Sequence, residues 1–228
     1  MTRLRRAAPY PRGEVRRAAA IALAAAVSAA GCFTLGSGTP GEPLLRPAVQ
    51  RLGQNSQVVG NAVVVSFAGV AVSLEPLEPD QLDALYQNRP GLVNPVKGLA
   101  GDGPHPIAFR VNLRNRGRQQ VQVEPAQFVL TDQEGIRRQS LSYQDFYQLV
   151  SEMPDADQRL RSVQATTLSS FLTVAPGADR EGFVFFPPVN EASRLLVLEL
   201  GSFYLGAREV PVLAEFEVAR SKAAPARR

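Results

Sequence analysis

Apolar and polar residues alternate with period two along much of the chain. The clearest run is PIAFRVNLRNRG, residues 106–117. Ile107, Phe109, Val111 and Leu113 share one side, and Arg110, Asn112 and Arg114 share the other, which predicts a half-buried strand. NRGR (115–118) then supplies a turn, with Gly117 free to take positive φ, and VQVEPAQFVLTD (121–132) reads as the returning strand, with Pro125 at an edge or bulge. Residues 61–74, NAVVVSFAGVAVSL, place Val63, Val65 and Phe67 together. Further strands are predicted at 181–188, 193–201 and 209–220, with Val212, Ala214, Phe216 and Val218 facing away from Leu213, Glu215 and Glu217. DQEG (132–135) and Pro176-Gly177 are turn signals.

Two segments change period. Residues 78–91 carry Leu82, Leu85 and Tyr86 at helical spacing behind Pro79, and residues 142–160 carry Phe146, Leu149, Val150 and Met153, with Pro154 expected to end or kink that helix. Seven or so strands separated by turns favour a mainly β fold, an antiparallel sandwich with one or two short inserted helices. FRVNLRNRGRQQVQVEPAQFVLTDQEG followed by LTVAPGADREGFVFFPP resembles the extracytoplasmic immunoglobulin-like domains of bacteria. That resemblance spans about residues 105–218 and implies an immunoglobulin-like sandwich, with Phe128 and Leu130 in its core and Asp132 opening a turn closed by Gly135.

The pattern of the first 33 residues differs in kind. Arg3, Arg5, Arg6, Arg12, Arg16 and Arg17 stand against the single acid Glu14, and residues 18–30 form an uncharged stretch of Ala, Ile, Leu and Val with one Ser. Thirteen such residues are too few for a bilayer core, which needs about 20, but they suit the apolar centre of a secretory leader. The stretch runs into Ala29-Ala30-Gly31-Cys32, and Cys32 is the only cysteine of the chain. This segment resembles a bacterial lipoprotein signal, with Ala29 standing where Leu is usual. The resemblance implies lipid attachment at Cys32, cleavage after Gly31, and a diacylated thioether as the membrane anchor. Two chains hold firmly where one is marginal. By the same resemblance Phe33, not Asp, after the cysteine points to the outer membrane facing the periplasm, with the inner membrane or cell surface as alternatives. Arg16-Arg17 also raises twin-arginine export.

Removing 1–31 corrects the apparent basicity. Six of the 25 basic residues and one of the 21 acidic residues lie there, which leaves 19 basic against 20 acidic residues, a net charge of about −1. No basic stripe interleaved with aromatics points to nucleic acid. Residues 32–56, rich in Gly, Pro and Ser, read as a lipidated N-terminus and flexible tether, 57–220 as the sandwich domain, and 221–228 as a frayed polar tail.

Candidate chemistry is sparse. His105 is the only histidine, lies between two prolines and has no GxSxG partner, so a Ser-His-Asp reading fails. A histidine- or cysteine-based metal site lacks second ligands. Asp155 and Asp157 lack the remainder of a calcium loop, and Glu75, Glu78 and Asp80 define no visible cleft. No catalytic residue, metal or cofactor is assigned. Tyr143, Phe146 and Tyr147 form the candidate partner surface, although the same rings also suit docking of the helix on the sandwich. The sequence therefore points to a lipid-anchored, non-enzymatic envelope protein that binds or assembles with an unidentified envelope partner. The alternative is a pilot or scaffold lipoprotein of a secretion or pilus apparatus.

Overall fold

The computed structural model describes residues 43–53, 55–99, 105–168 and 170–220. The predicted leader, Gly31, Cys32 and the predicted tail lie outside them. Alternation becomes strands in this order: β1 (Pro43–Pro47), β2 (Ser56–Val59), β3 (Ala62–Phe67), β4 (Val70–Leu77), then helix α1 (Pro79–Gln87), β5 (Ile107–Asn115) and β6 (Val121–Val123). A single 3-10 turn, Pro125–Gln127, leads to β7 (Phe128–Asp132) and β8 (Arg137–Gln139). Helices α2 (Tyr143–Val150) and α3 (Ala156–Thr166) follow, and the described residues end with β9 (Leu172–Val174), β10 (Asp179–Phe186), β11 (Leu195–Leu200), β12 (Phe203–Leu205), β13 (Arg208–Glu209) and β14 (Leu213–Arg220).

The fold is mainly β, with three antiparallel sheets. The first has the order β1-β14-β11-β7-β8, the second β10-β5-β4-β3-β2, and the smaller third β13-β12-β6-β9. The inward positions of the first two sheets meet in one core. There Phe109 of β5 packs edge-on against Phe216 of β14, with ring centroids 5.1 Å apart. The third sheet closes one side, where Phe203 of β12 meets Phe67 of β3 at 5.5 Å.

The second sheet is covered on both faces where Ala108 of β5 and Phe183 and Phe185 of β10 lie. Ala108, Phe183 and Phe185 point away from the first core into a second one, built with Leu82 and Tyr86 of α1, Phe146 and Val150 of α2, and Leu160 and Val163 of α3. This explains the unbroken run Phe183-Val184-Phe185-Phe186, which would alternate if one face met water. Helix α2 starts where its first backbone donors find side-chain partners. The Ser142 hydroxyl accepts from the Asp145 N–H at 3.2 Å, and the Asp145 carboxylate accepts from the Ser142 N–H at 2.7 Å, a reciprocal cap that fixes the start of α2. The predicted helix 142–160 is thus two helices, separated around Pro154.

Four further expectations are corrected. Residues 61–74 are not one strand but a hairpin, β3 and β4, turned at Ala68 and Gly69, whose φ angles are 47° and 83°; two positive φ angles match the strand twist. Gly117 does not take positive φ; it serves close approach, since a Cβ there would sit 2.7 Å from the Ala68 carbonyl oxygen. Residues 121–132 do not return along β5. Pro125 breaks the segment into β6, paired with β12 and β9, and β7, paired with β11 and β8. Last, the predicted tether is shorter than its composition suggests: Pro43–Pro47 pairs in full register with β14, and Leu45 and Ala48 are buried.

Candidate functional site

The predicted partner surface on α2 divides. Phe146 is 0 % exposed, with its ring edge-on to Phe185 at 5.2 Å. It is a core residue and not part of a contact surface. Tyr143 and Tyr147 stay outside, the latter 50 % exposed. Helical spacing explains the split: Phe146 and Val150 point at the second sheet, and Tyr143 and Tyr147 flank that direction on one side. On the other flank, Asp145, Gln148 and Leu149 line a groove of about 400 Å³ closed by Leu141, Pro187 and Pro188. Leu149, predicted to pack, is one of the exposed large apolar residues.

A second recess, about 160 Å³, lies under α1 where β1 begins, with Pro43, Leu45, Leu82, Val96 and His105 in its wall. Its polar rim is internally matched. Asp83 accepts from the Lys97 ammonium and from Asn94 Nδ2, both at 2.6 Å. Desolvation pushes the Asp83 carboxyl up, but these partners outweigh it and hold it below the ordinary range. The loop carrying Asn94 and Lys97 is clamped from behind by Arg159, whose Nη1 donates to the carbonyls of Pro95 at 3.1 Å and Lys97 at 2.6 Å.

The acids singled out in the sequence take separate tasks. Glu75 accepts from Arg110 Nε at 2.8 Å on the open part of the second sheet. Glu78 caps α1, with Asp80 in its first turn. Asp155 accepts from Arg159 Nε at 2.7 Å, which holds its carboxyl below the ordinary value. Among the described residues, no three His, Cys, Asp or Glu side chains gather as a metal set.

Sequence reading missed the most unusual carboxylate. Glu215 occupies an outward position of β14, yet it is buried, because the β1–β2 connection folds over it. Its Oε2 accepts from the Leu52 N–H at 2.9 Å and from the Arg51 N–H. The Gln50 side chain completes the join, donating to the Glu215 carbonyl at 2.8 Å and accepting from the Glu215 N–H at 2.9 Å. The loop so held presents Val49, 72 % exposed, and Leu52, 55 % exposed, with the exposed Arg46 and Arg51 beside them. The outward face of the first sheet next to it carries Leu44, Val197 and Leu213, all half-buried. Among the described residues no helix core forms on that side; the described helices lie on the second sheet. A glutamate in an otherwise ordinary alternation was the only signal, and it read as solvent-facing.

No known protein family, curated protein or solved structure matches the chain. Among the described residues, no helix is long and apolar enough to cross a membrane.

Proposed function

We propose that this is a lipid-anchored, non-enzymatic envelope protein, exported by its leader, cut after Gly31 and held by diacylated Cys32, and that it serves as a binding or assembly accessory to another envelope protein. The observation that carries the reading is the succession of a basic flank, a 13-residue apolar stretch and Ala29-Ala30-Gly31-Cys32 around the only cysteine. The domain described above supports it, since its first strand begins at Pro43, eleven residues after that cysteine. We also propose that the two facing sheets form an immunoglobulin-like sandwich, supported by antiparallel strands that alternate between sheets around an aromatic core. By the resemblance of its leader, the site is the periplasmic face of the outer membrane.

The test is metabolic. Growth with labelled palmitate tags the protein, and Cys32→Ala abolishes the tag. Retention of the label by that variant, or an intact residue 1–31 segment on mature protein, overturns the reading.

A second reading, a pilot or scaffold lipoprotein that lends a strand edge to a secretion or pilus apparatus, is favoured by one observation. β2 is an outer strand of the second sheet, and Val58 and Val59 on it are 49 % and 55 % exposed. The opposite outer strand, β10, is partly capped by Leu141 and Leu168, whose N–H groups donate to the Phe185 and Phe183 carbonyls. An open edge with apolar side chains is the geometry of strand addition. Co-purification with a large membrane complex, lost when Val58→Lys charges the edge, distinguishes it.

A further inference from the structure

We infer that the β1–β2 connection is a second, non-covalent membrane contact, seated on an anionic lipid surface; this rests on the anchor reading above. Three observations carry it. Val49 and Leu52 are among the most exposed large apolar residues, and both lie on one short loop. Arg46 and Arg51, exposed on the same stretch, make no side-chain hydrogen bond or ion pair among the described residues; Glu217 lies across from Arg46 on β14. Apolar side chains flanked by guanidinium groups suit the boundary between acyl chains and acidic headgroups. The reach also fits. Eleven steps from Cys32 to Pro43 span at most about 40 Å, and the five residues of β1 carry the chain about 17 Å further to the loop. An anchored domain can therefore lie on this side, with the loop against the bilayer that holds the lipid.

Glu215 gives the contact its shape. By accepting the Arg51 and Leu52 N–H groups from behind, it satisfies backbone donors that would otherwise hold the loop in water. The apolar side chains are thus turned outward by a buried carboxylate, with no need for an apolar core beneath them.

The experiment uses the full mature lipoprotein, reconstituted in vesicles of phosphatidylcholine alone or with phosphatidylglycerol. Cys32 being blocked by its thioether, Leu52→Cys introduces the one reactive thiol, and Ile136→Cys, at the far edge of the same sheet, is the control. An environment-sensitive label at 52 is expected to shift to the blue in phosphatidylglycerol vesicles. Nitroxide lipids should quench it several-fold more strongly than the label at 136. The pair Arg46→Glu and Arg51→Glu should abolish that difference. Equal exposure to water at 52 and 136, in protein that still floats with the vesicles, overturns this inference and leaves the anchor standing. Protection of 52 that appears only when another envelope protein is added also overturns it. Failure to float, with no thioether on Cys32 by mass spectrometry, sinks both readings together.

Discussion

Asp132 and Arg138 meet at 3.1 Å, with 1 % and 8 % of their side chains exposed. The Asp132 carboxylate also accepts from the Ile136 N–H at 2.9 Å and the Glu134 N–H at 3.1 Å, while Arg138 Nε donates to the Pro188 carbonyl at 3.0 Å. The pair therefore stitches the β7–β8 turn to the segment before β11. Removing one partner of a buried pair leaves the other charge uncompensated, so Asp132→Ala should cost about 3–5 kcal/mol in urea unfolding. Burial pushes the Asp132 carboxyl up, but the Ile136 N–H, Arg138 and Glu134 N–H outweigh it, and the group lies below its ordinary value. A depressed carboxyl stabilises the fold above its unfolded-state value of about 4 and loses that contribution as the pH falls through the lower folded-state value. The stability gap between wild type and Asp132→Asn should accordingly narrow on acidification, and a gap independent of pH would refute the assignment.

Glu215 makes a separable prediction. Glu215→Ala strips two backbone donors of their acceptor, at about 1–3 kcal/mol if the loop stays closed and less if it opens to water. Opening exposes the bond after Arg51, so limited trypsin digestion should cut the variant there much faster than wild type. Glu215→Gln retains an acceptor oxygen and should fall between the two. Equal digestion of all three proteins would show that the loop is held by other contacts.

The division of α2 is tested by a pair of truncations. Phe146→Ala removes a ring packed on Phe185 in the second core and should cost about 3–5 kcal/mol. Tyr147→Ala, one residue on, should change stability by less than about 0.5 kcal/mol. If the two were equal in thermal unfolding, the helix would not sit as described.

These residues also show where sequence reading reaches and where it stops. Phe109, Leu130 and Phe216 were legible as core, because alternation is a local property and each strand carries its own. Phe146 was legible as apolar at helical spacing, but spacing alone does not say whether a ring meets a sheet or a partner. The crossing of residues 121–132 from one sheet to another was hidden, since the partners of β6 and β7 lie some 50–80 residues away, in β9, β11 and β12. Composition misled at Pro43–Pro47, where two prolines look like tether. Edge strands tolerate proline, and β1 is an edge strand. Glu215 was unreadable for the same reason as the crossing: what buries it is chain more than 160 residues earlier.

Tyr86 closes the set. Its hydroxyl lies 2.6 Å from Thr166 Oγ1, and that oxygen donates its own proton to the Ser162 carbonyl at 2.7 Å. Tyr86 is therefore the donor, and α1 is joined to α3 by a directed chain of two hydrogen bonds inside the second core. Burial pushes the phenol up to about 12, against a smaller opposing effect of the Arg89 charge. Its unfolded value is about 10. A raised folded-state value means that the native state keeps its proton while the unfolded chain gives one up, so the contribution is whole below about pH 10 and is lost as the pH climbs toward 12. Wild type should lose stability across that alkaline window, by about 2–3 kcal/mol at most. Tyr86→Phe, weaker at neutral pH by about 1 kcal/mol for the missing hydrogen bond, should show a flatter alkaline profile. Tyrosinate absorbance measured on the native protein reads the same group directly. Titration of every tyrosine with a midpoint near pH 10, before unfolding, would mean that this hydroxyl is open to solvent and that α1 and α3 are not joined in this way.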